Sequence, residues 1–162
     1  MRVYTPNYTE AGMSINAEDE KLRQEIGRIC ACFNLRRAAR LVTQRYDEAV
    51  RELGLRSTQL SVLVAVLNLP DLSLSKMARM LGMDRTSLTR NLQVLERRGL
   101  VAGKGGEDKR EKKFNVTPTG IEILEKAIPF WRKAQSEVVE ALGEEKFDNL
   151  LAGLHEVSQK FG

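Results

Sequence analysis

The side chains best suited to chemistry form a run of cationic and hydroxyl groups between Ser73 and Thr117. This stretch contains eleven Lys and Arg against five Asp and Glu, a net charge of +6, whereas the whole chain carries +4. Guanidinium, ammonium and hydroxyl groups donate hydrogen bonds to phosphates and base edges, so charge confined to one stretch predicts a surface that binds nucleic acid. The candidate contacts are Ser75, Lys76, Arg85, Thr86, Ser87, Thr89, Arg90, Lys104, Asp108, Lys109 and Arg110.

The elements that must position these groups can be read from helix start and stop signals. Ser73 is a cap for a short helix over 74–81, and Gly82 can end that helix in a left-handed conformation. Asp84 is a cap for the next helix, over 85–98. The two helices are separated by about four residues, which is typical of a helix–turn–helix.

A β-hairpin is predicted directly after the second of these helices. Residues 100–102 and 113–116 have the composition of two strands, and a glycine-rich charged loop joins them. A hairpin in this position is a wing. Lys104 and Lys109 are better placed to bind phosphates than to distinguish bases. A solvated hairpin tip is the alternative that charge alone does not exclude.

Long amphipathic helices are predicted on both sides of this winged segment. One covers about 20–53, and Ser57 is expected to cap a buried helix over 58–67. After Thr117-Pro118, apolar positions from Ile121 to Leu142 recur at alternating steps of three and four, which indicates a coiled-coil seam. Pro129 should kink that helix. A last helix carries an apolar stripe from Phe147 to Phe161, and such unpaired stripes predict a dimer.

We therefore expect a mainly α fold with a small two- or three-stranded β-wing. The expected organisation is a flexible arm over 1–19, a first helix in the dimerisation region over 20–54, a winged helix–turn–helix over 55–117 and dimerisation helices over 118–162.

Composition limits the cellular setting. Two cysteines are too few for a disulfide scaffold and fit a reducing compartment. No segment has the pattern of a secretion signal or the length of a membrane span. These features predict a cytoplasmic protein.

Three stretches resemble the MarR family of winged helix–turn–helix regulators. They are residues 34–40, the run 82–101 that contains the second helix, and 108–120, where Asp108-x-Arg110 matches a D-x-R motif and Val116-Thr117-Pro118-Thr119-Gly120 stands for Leu-Thr-x-x-Gly. The resemblance implies a homodimeric DNA-binding regulator, usually a repressor, that is released from a pseudo-palindromic operator by a small ligand or by oxidation. It also implies that Arg110 enters the minor groove while Asp108 steadies a nearby arginine.

Several arginines and apolar residues could form a binding site for an effector. Arg36, Arg37, Arg40 and Arg45 could bind the acid group of an effector, such as an aromatic acid, although surface ion pairing is the more common role of such residues. Phe33, Leu63 and Trp131 could line an aromatic pocket, with plain core or dimer packing as the alternative.

Oxidation would act through Cys30 or Cys32. These residues are two apart on a helix, so they point to different sides and cannot pair with each other. Either thiolate could sense peroxide if Arg28 stabilised it, and packing as small apolar side chains is the alternative.

Nothing in the sequence supports catalysis, a cofactor or a metal. Ser73 and Lys76 match an S-x-x-K pair by spacing, but Ser73 is better used as a cap. His155 has no partners at metal-ligand spacing. A non-enzymatic winged-helix protein–protein adaptor remains as an alternative to the DNA-binding regulator, and a small redox enzyme using Cys30 is a second.

Overall fold

Six α-helices, one 3-10 turn and two β-strands make up the part of the chain that the computed structural model describes, which is residues 23, 25–70, 72–104 and 113–161. In chain order, the elements are α1 (Ala31–Val50), the 3-10 turn (Arg51–Leu53), α2 (Ser57–Asn68), α3 (Leu74–Met80), α4 (Arg85–Arg97), β1 (Val101–Lys104), β2 (Lys113–Val116), α5 (Pro118–Leu142) and α6 (Glu144–Phe161). The predicted mainly α fold with a small wing is confirmed.

The chain divides into two compact units, Met1–Leu41 and Val42–Gly162. In the first unit, the described residues are helical at 23, 25–29 and from Ala31 onward, and helical hydrogen bonds continue through Cys30, whose N–H donates to the carbonyl oxygen of Ile26 at 2.9 Å and whose carbonyl oxygen accepts from the N–H of Asn34 at 3.1 Å. The predicted flexible arm over 1–19 lies outside the described residues.

The helix expected over about 20–53 forms over its described residues but ends in a tighter turn than predicted. After α1 ends at Val50, the backbone tightens into the 3-10 turn, and Gly54 closes it with a left-handed φ of 65°. The N–H of Gly54 donates to the carbonyl oxygen of Arg51 at 2.8 Å, which fixes this tight end. Glycine adopts a positive φ without steric cost, so the stop was predictable even though the tightening before it was not.

The start of α2 also differs from the prediction. Ser57 is the first helical residue, and Arg56 occupies the N-cap position that was predicted for Ser57. The carboxylate of Asp47 accepts hydrogen bonds from the N–H of Ser57 at 2.7 Å and from its hydroxyl at 2.6 Å. Gln59 accepts from the N–H of Arg56 at 3.0 Å. Because Asp47 is distant in sequence, local pattern alone does not reveal this arrangement.

The core of the second unit lies between α2, α4 and the wing. It is built from aliphatic side chains because α2 is apolar on most sides and α4 presents a leucine stripe to it. Its largest fully buried side chains are Leu63, Leu88, Leu92, Leu95, Leu100, Val50, Val62, Val66 and Val101.

The wing is a two-stranded antiparallel hairpin. Val101 pairs with Val116 at its base, and Lys104 pairs with Lys113 at the far end. Phe114 is buried against the core, so the hairpin is anchored at its base by apolar packing. The first strand extends to Lys104 and is therefore longer than the predicted 100–102.

The helix α5 begins as expected. Thr117 accepts a hydrogen bond from the N–H of Gly120 at 3.0 Å, and Pro118 occupies the first helical position. The predicted seam is only partly an outer surface, since Leu124 is buried in the core of the second unit. Ile128 and Trp131, by contrast, are partly exposed.

The final helix α6 follows a sharp turn at Gly143, whose φ is 80°. None of the residues of α6 is buried within this chain. Four apolar side chains, Leu150, Leu151, Leu154 and Val157, are 38–48% exposed. An amphipathic helix normally buries its apolar stripe, so this face is unpartnered within the described chain.

Candidate nucleic-acid interface and adjoining cavity

The second helix of the helix–turn–helix, α4, begins with a well-formed cap. The carboxylate of Asp84 accepts from the N–H of Ser87 at 2.8 Å and from its hydroxyl at 2.6 Å. The hydrogen bond from the Ser87 hydroxyl has the larger effect and that from its N–H the next. Together they hold the pKa of Asp84 below its ordinary value of 3.8. The predicted cap is confirmed, and it fixes the direction of the first turn of α4.

The cap separates the polar side chains at this end of α4 into two groups. The hydroxyl protons of Ser87 and Thr89 are already donated, to Asp84 and to the carbonyl oxygen of Arg85 at 2.8 Å. Arg85, Thr86 and Arg90 are exposed and make no such bond with another described residue. Their donors are therefore available to base edges or phosphates, while Ser87 and Thr89 can offer only oxygen lone pairs.

The first helix of the motif, α3, presents a smaller polar surface. Ser73 caps it, accepting from the N–H of Lys76 at 3.4 Å, which confirms that prediction. Ser75 and Lys76 are exposed on its first turn, while Met77 and Ala78 point into the core. An exposed lysine at this position can contact a phosphate without reading sequence.

One arginine of the basic stretch has an internal role that the charge count did not indicate. The guanidinium of Arg98 donates to the carbonyl oxygens of Gly54 at 2.6 Å and Leu53 at 2.9 Å. Arg98 therefore ties the end of α4 to the turn after α1. Its charge contributes to the local potential, but two of its five N–H donors are used in this contact.

The wing supplies the remaining candidates. Lys104 ends β1 and pairs in register with Lys113 at the start of β2, so the hairpin carries lysines where its loop begins and ends. Asp108, Lys109 and Arg110 lie outside the described residues, and their DNA-contacting roles stay predictions.

A cavity of about 960 Å³ lies within the second unit, beside the helix–turn–helix. It is bounded by the second half of α1, by α2, by the turn between α3 and α4, and by α5. Its walls are formed by Val42, Thr43, Tyr46, Val50, Ser57, Thr58, Leu60, Ser61, Val64, Ala65, Leu67, Asn68, Leu69, Met80, Leu81, Met83, Leu124, Ala127, Ile128 and Trp131. We call it the interhelical cavity.

Of the five residues predicted to bind an effector, Trp131 lines this cavity. Leu63 does not, because it is fully buried in the core on another side of α2. Phe33, Arg37 and Arg40 belong to the first unit, where all three are exposed, and their role stays a prediction.

Sequence reasoning missed several residues of the cavity wall. Met80, Leu81 and Met83 belong to the end of α3 and to the turn before α4. The N–H of Met83 donates to the carbonyl oxygen of Ala78 at 2.8 Å, which closes that turn. The signal that was available is the apolar Met83 between Gly82 and Asp84, where a solvent-exposed turn would usually carry a polar side chain.

Tyr46 is a further wall residue with an internal partner. Its hydroxyl donates a hydrogen bond to Oε1 of Gln135, which joins α1 to α5. Partial burial raises the pKa of the Tyr46 hydroxyl above its ordinary 10.0. Tyr46 is thus a protonated donor at neutral pH, and its proton is engaged by Gln135.

The two cysteines belong to the first unit. Cys30 is half-buried and Cys32 is exposed, and Sγ of Cys30 accepts a weak hydrogen bond from the N–H of Phe33 at 3.5 Å. Arg28, the expected stabiliser of a thiolate, lies with its guanidinium 4.0 Å from the carboxylate of Glu25. The predicted peroxide sensor remains without a visible activating group among the described residues.

Neither a membrane-spanning helix nor a cluster of metal ligands is present among the described residues. None of the helices in residues 23, 25–70, 72–104 and 113–161 is long and apolar enough to cross a membrane. Over the same ranges, no three His, Cys, Asp or Glu side chains converge as metal ligands would.

Comparison with known proteins defines the class of this arrangement. Residues 53–111 match the family model described as MarR family. The chain is 30% identical to the organic hydroperoxide resistance transcriptional regulator of Bacillus subtilis, over 60% of this chain and 67% of that protein. The chain is also 32% identical to another transcriptional regulator of Bacillus subtilis. This match covers 61% of that regulator, so the chain spans about three fifths of that relative's length.

Solved structures extend the likeness over most of the chain. The Mycobacterium tuberculosis transcriptional regulator MosR in complex with DNA is 41% identical with a TM-score of 0.72, covering 81% of this chain and 95% of that one. The transcriptional repressor CouR bound to p-coumaroyl-CoA is 25% identical with a TM-score of 0.75, covering 85% of this chain and 96% of that one.

A helix–turn–helix followed by a two-stranded wing defines a winged-helix DNA-binding protein. The chain belongs to the MarR family of DNA-binding transcriptional regulators.

Proposed function

We propose that this protein is a homodimeric transcriptional repressor that leaves a pseudo-palindromic operator when a small molecule occupies the interhelical cavity. The observation that supports the proposal is that the interhelical cavity and the helix–turn–helix have residues in common. Met80, Leu81 and Met83 line the cavity and also form the end of α3 and the turn that sets the position of α4. A ligand that displaces these side chains must also move the helix that reads DNA, because packed elements shift as units.

The dimer is inferred from the unpartnered face of α6. Its apolar side chains remain exposed in this chain, and Phe161 is 86% exposed. Apolar faces of this kind on a soluble helix mark association surfaces. A two-fold axis would place two copies of α4 in successive major grooves, which requires half-sites about 10 base pairs apart.

Sedimentation tests the dimer directly. Removing residues from Phe147 onward should give a protein that is monomeric or aggregated and that no longer bridges two half-sites on one duplex. A soluble dimer that survives this truncation would contradict the assignment of α6 to the interface.

Release by ligand is tested with a variant that fills the cavity. Ser61 lines the cavity but is exposed, so Ser61→Phe should fold while narrowing the space. Molecules found by a fluorescence screen on Trp131 should lower operator affinity for wild type and lose this effect in Ser61→Phe. If a molecule releases both proteins equally, it does not act through the cavity.

Oxidative release is a second candidate, favoured by the likeness to the organic hydroperoxide resistance regulator. In that case an organic hydroperoxide should release wild-type protein from operator DNA, and Cys30→Ser should abolish the response. Cys32→Ser is the matched control on the same helix. A response that persists in both variants would remove the cysteines from the mechanism.

A further inference from the structure

The described residues of the second unit that form the wall of the interhelical cavity include no charged side chain. Fourteen of its twenty described residues are apolar, and the other six are Thr43, Tyr46, Ser57, Thr58, Ser61 and Asn68. No Lys, Arg, His, Asp or Glu is among them. A charged group brought into such a space loses its hydration without gaining an ion partner, which is costly.

The negative charge that lies behind this wall makes an anion still less favourable. Ser57 lines the cavity, and its hydroxyl donates to the Asp47 carboxylate behind it at 2.6 Å. Because Asp47 also accepts from the N–H of Ser57, this carboxylate is fixed in place. A ligand carboxylate near Ser57 would therefore be repelled by a like charge across a single hydroxyl.

The hydroxyls of the wall are mostly acceptors. Those of Tyr46, Ser57 and Ser61 each have their proton engaged, with Gln135, with Asp47 and with the carbonyl oxygen of Ser57 at 3.1 Å, respectively. A hydroxyl whose proton is used retains oxygen lone pairs that accept hydrogen bonds. At these three positions the wall complements a ligand that brings its own N–H or O–H donor, while Thr43, Thr58, Asn68 and the indole of Trp131 can also donate to it.

We propose that the ligand of the interhelical cavity is an uncharged, largely apolar molecule with at least one hydrogen-bond donor, such as an alcohol, phenol or amide, and not an aromatic acid. This inference deepens the proposed function and rests on it for the consequence of binding. It departs from the acid-binding role predicted for the arginines of α1, of which Arg45 belongs to the second unit and is not among the residues lining the cavity.

The test uses four spectrally silent probes with the same hydrocarbon body: adamantyl methanol, its methyl ether, adamantane carboxylate and adamantyl methylammonium. Trp131 is the one tryptophan of the chain and lines the cavity, so its fluorescence reports occupancy. Full-length protein should bind the alcohol with an affinity at least about tenfold higher than either charged probe, and higher than the ether. Equal binding of carboxylate and alcohol, or no response to any probe, would overturn the inference.

A variant that adds a positive charge to the cavity wall gives an independent check of the ligand class. Thr43 is exposed and lines the cavity, so Thr43→Arg should fold and should shift the preference toward the carboxylate. Gln44→Arg adds the same charge to a neighbouring exposed residue outside the wall and should leave the preference unchanged. An identical shift in both variants would mean that general surface charge governs selection, against the proposal.

Operator release is measured in the same samples by fluorescence anisotropy of labelled DNA. If the alcohol binds at Trp131 but DNA stays bound, the repressor-release function fails while the ligand class stands. If DNA is released by the carboxylate more readily than by the alcohol, the ligand class fails while release by a small molecule stands.

Discussion

The backbone of Gly120 lies so close to the carbonyl of Leu100 that a Cβ atom at position 120 would overlap that oxygen. The same atom would lie 2.6 Å from Cγ1 of Val116. Thr117 reinforces this junction, because its N–H donates to the carbonyl oxygen of Leu100 at 3.1 Å and its hydroxyl to that of Gly99 at 2.6 Å. The first turn of α5 is thus pressed onto the base of the wing.

Gly120→Ala should therefore destabilise the fold by about 1–3 kcal/mol, as overpacking does. Gly153→Ala is the matched control, since a Cβ at that helical position meets nothing within 4 Å. The control should gain about 0.5–1 kcal/mol from helix propensity. Urea unfolding of both variants measures the difference, and equal stability of Gly120→Ala and wild type would refute the close packing.

The stability that the Asp84 cap contributes to the fold should depend on pH. Since the folded-state pKa of Asp84 is lowered, its contribution to stability is present above the ordinary value of 3.8 and is lost as pH falls through the folded-state pKa. Asp84→Asn keeps a capping oxygen but cannot titrate. The difference in melting temperature between wild type and Asp84→Asn should shrink on acidification, and Ser87→Ala should return the pKa of Asp84 toward 3.8. A pH-independent difference would show that the carboxylate charge does not matter.

Arg85 and Arg90 are predicted to read bases. Replacing a base-reading arginine with alanine should cost about 1–3 kcal/mol on the operator and relax specificity at one position. Arg85→Lys and Arg90→Lys are the controls, because lysine keeps the charge but not the bidentate donor pair. If operator and random duplexes lose affinity equally in the alanine variants, that arginine contacts phosphate instead.

The wing prediction concerns residues beyond the described structure. Arg110→Ala should weaken binding most on sites flanked by A-tracts, whose narrow minor grooves attract arginine. Lys109→Ala should lower affinity nearly uniformly and reduce the log–log salt slope by about one for each phosphate that the protein no longer binds. A salt titration on A-tract and G·C-flanked operators distinguishes the two. Unchanged binding of Arg110→Ala on all sites would favour the protein–protein adaptor.

Local signals were enough to predict most of the fold. Ser73, Asp84 and Thr117 each cap a helix through a bond to a backbone N–H three residues later, so the information lies within one turn. The positive φ of Gly54 and Gly82 is equally local. Such short-range constraints do not depend on how distant segments pack.

Contacts between distant segments were not predictable in the same way. Asp47 takes over the capping role assigned to Ser57, and Arg98 bonds to the turn after α1. Leu124 fits the predicted seam by spacing but packs in the core of the second unit. The interhelical cavity, too, exists only because four separated segments meet, and no spacing rule in one segment reveals it.

We propose that α4 and the wing bind DNA in a sequence-dependent manner. Selection of bound sequences from a pool of random duplexes tests this binding most directly. Wild-type protein should enrich a pseudo-palindromic sequence and bind it at least about 10³-fold more tightly than random DNA at the same salt concentration. That preference should fall in Arg85→Ala and Arg90→Ala. Selection that enriches no sequence, with binding equally weak on all duplexes and insensitive to salt, would contradict the account.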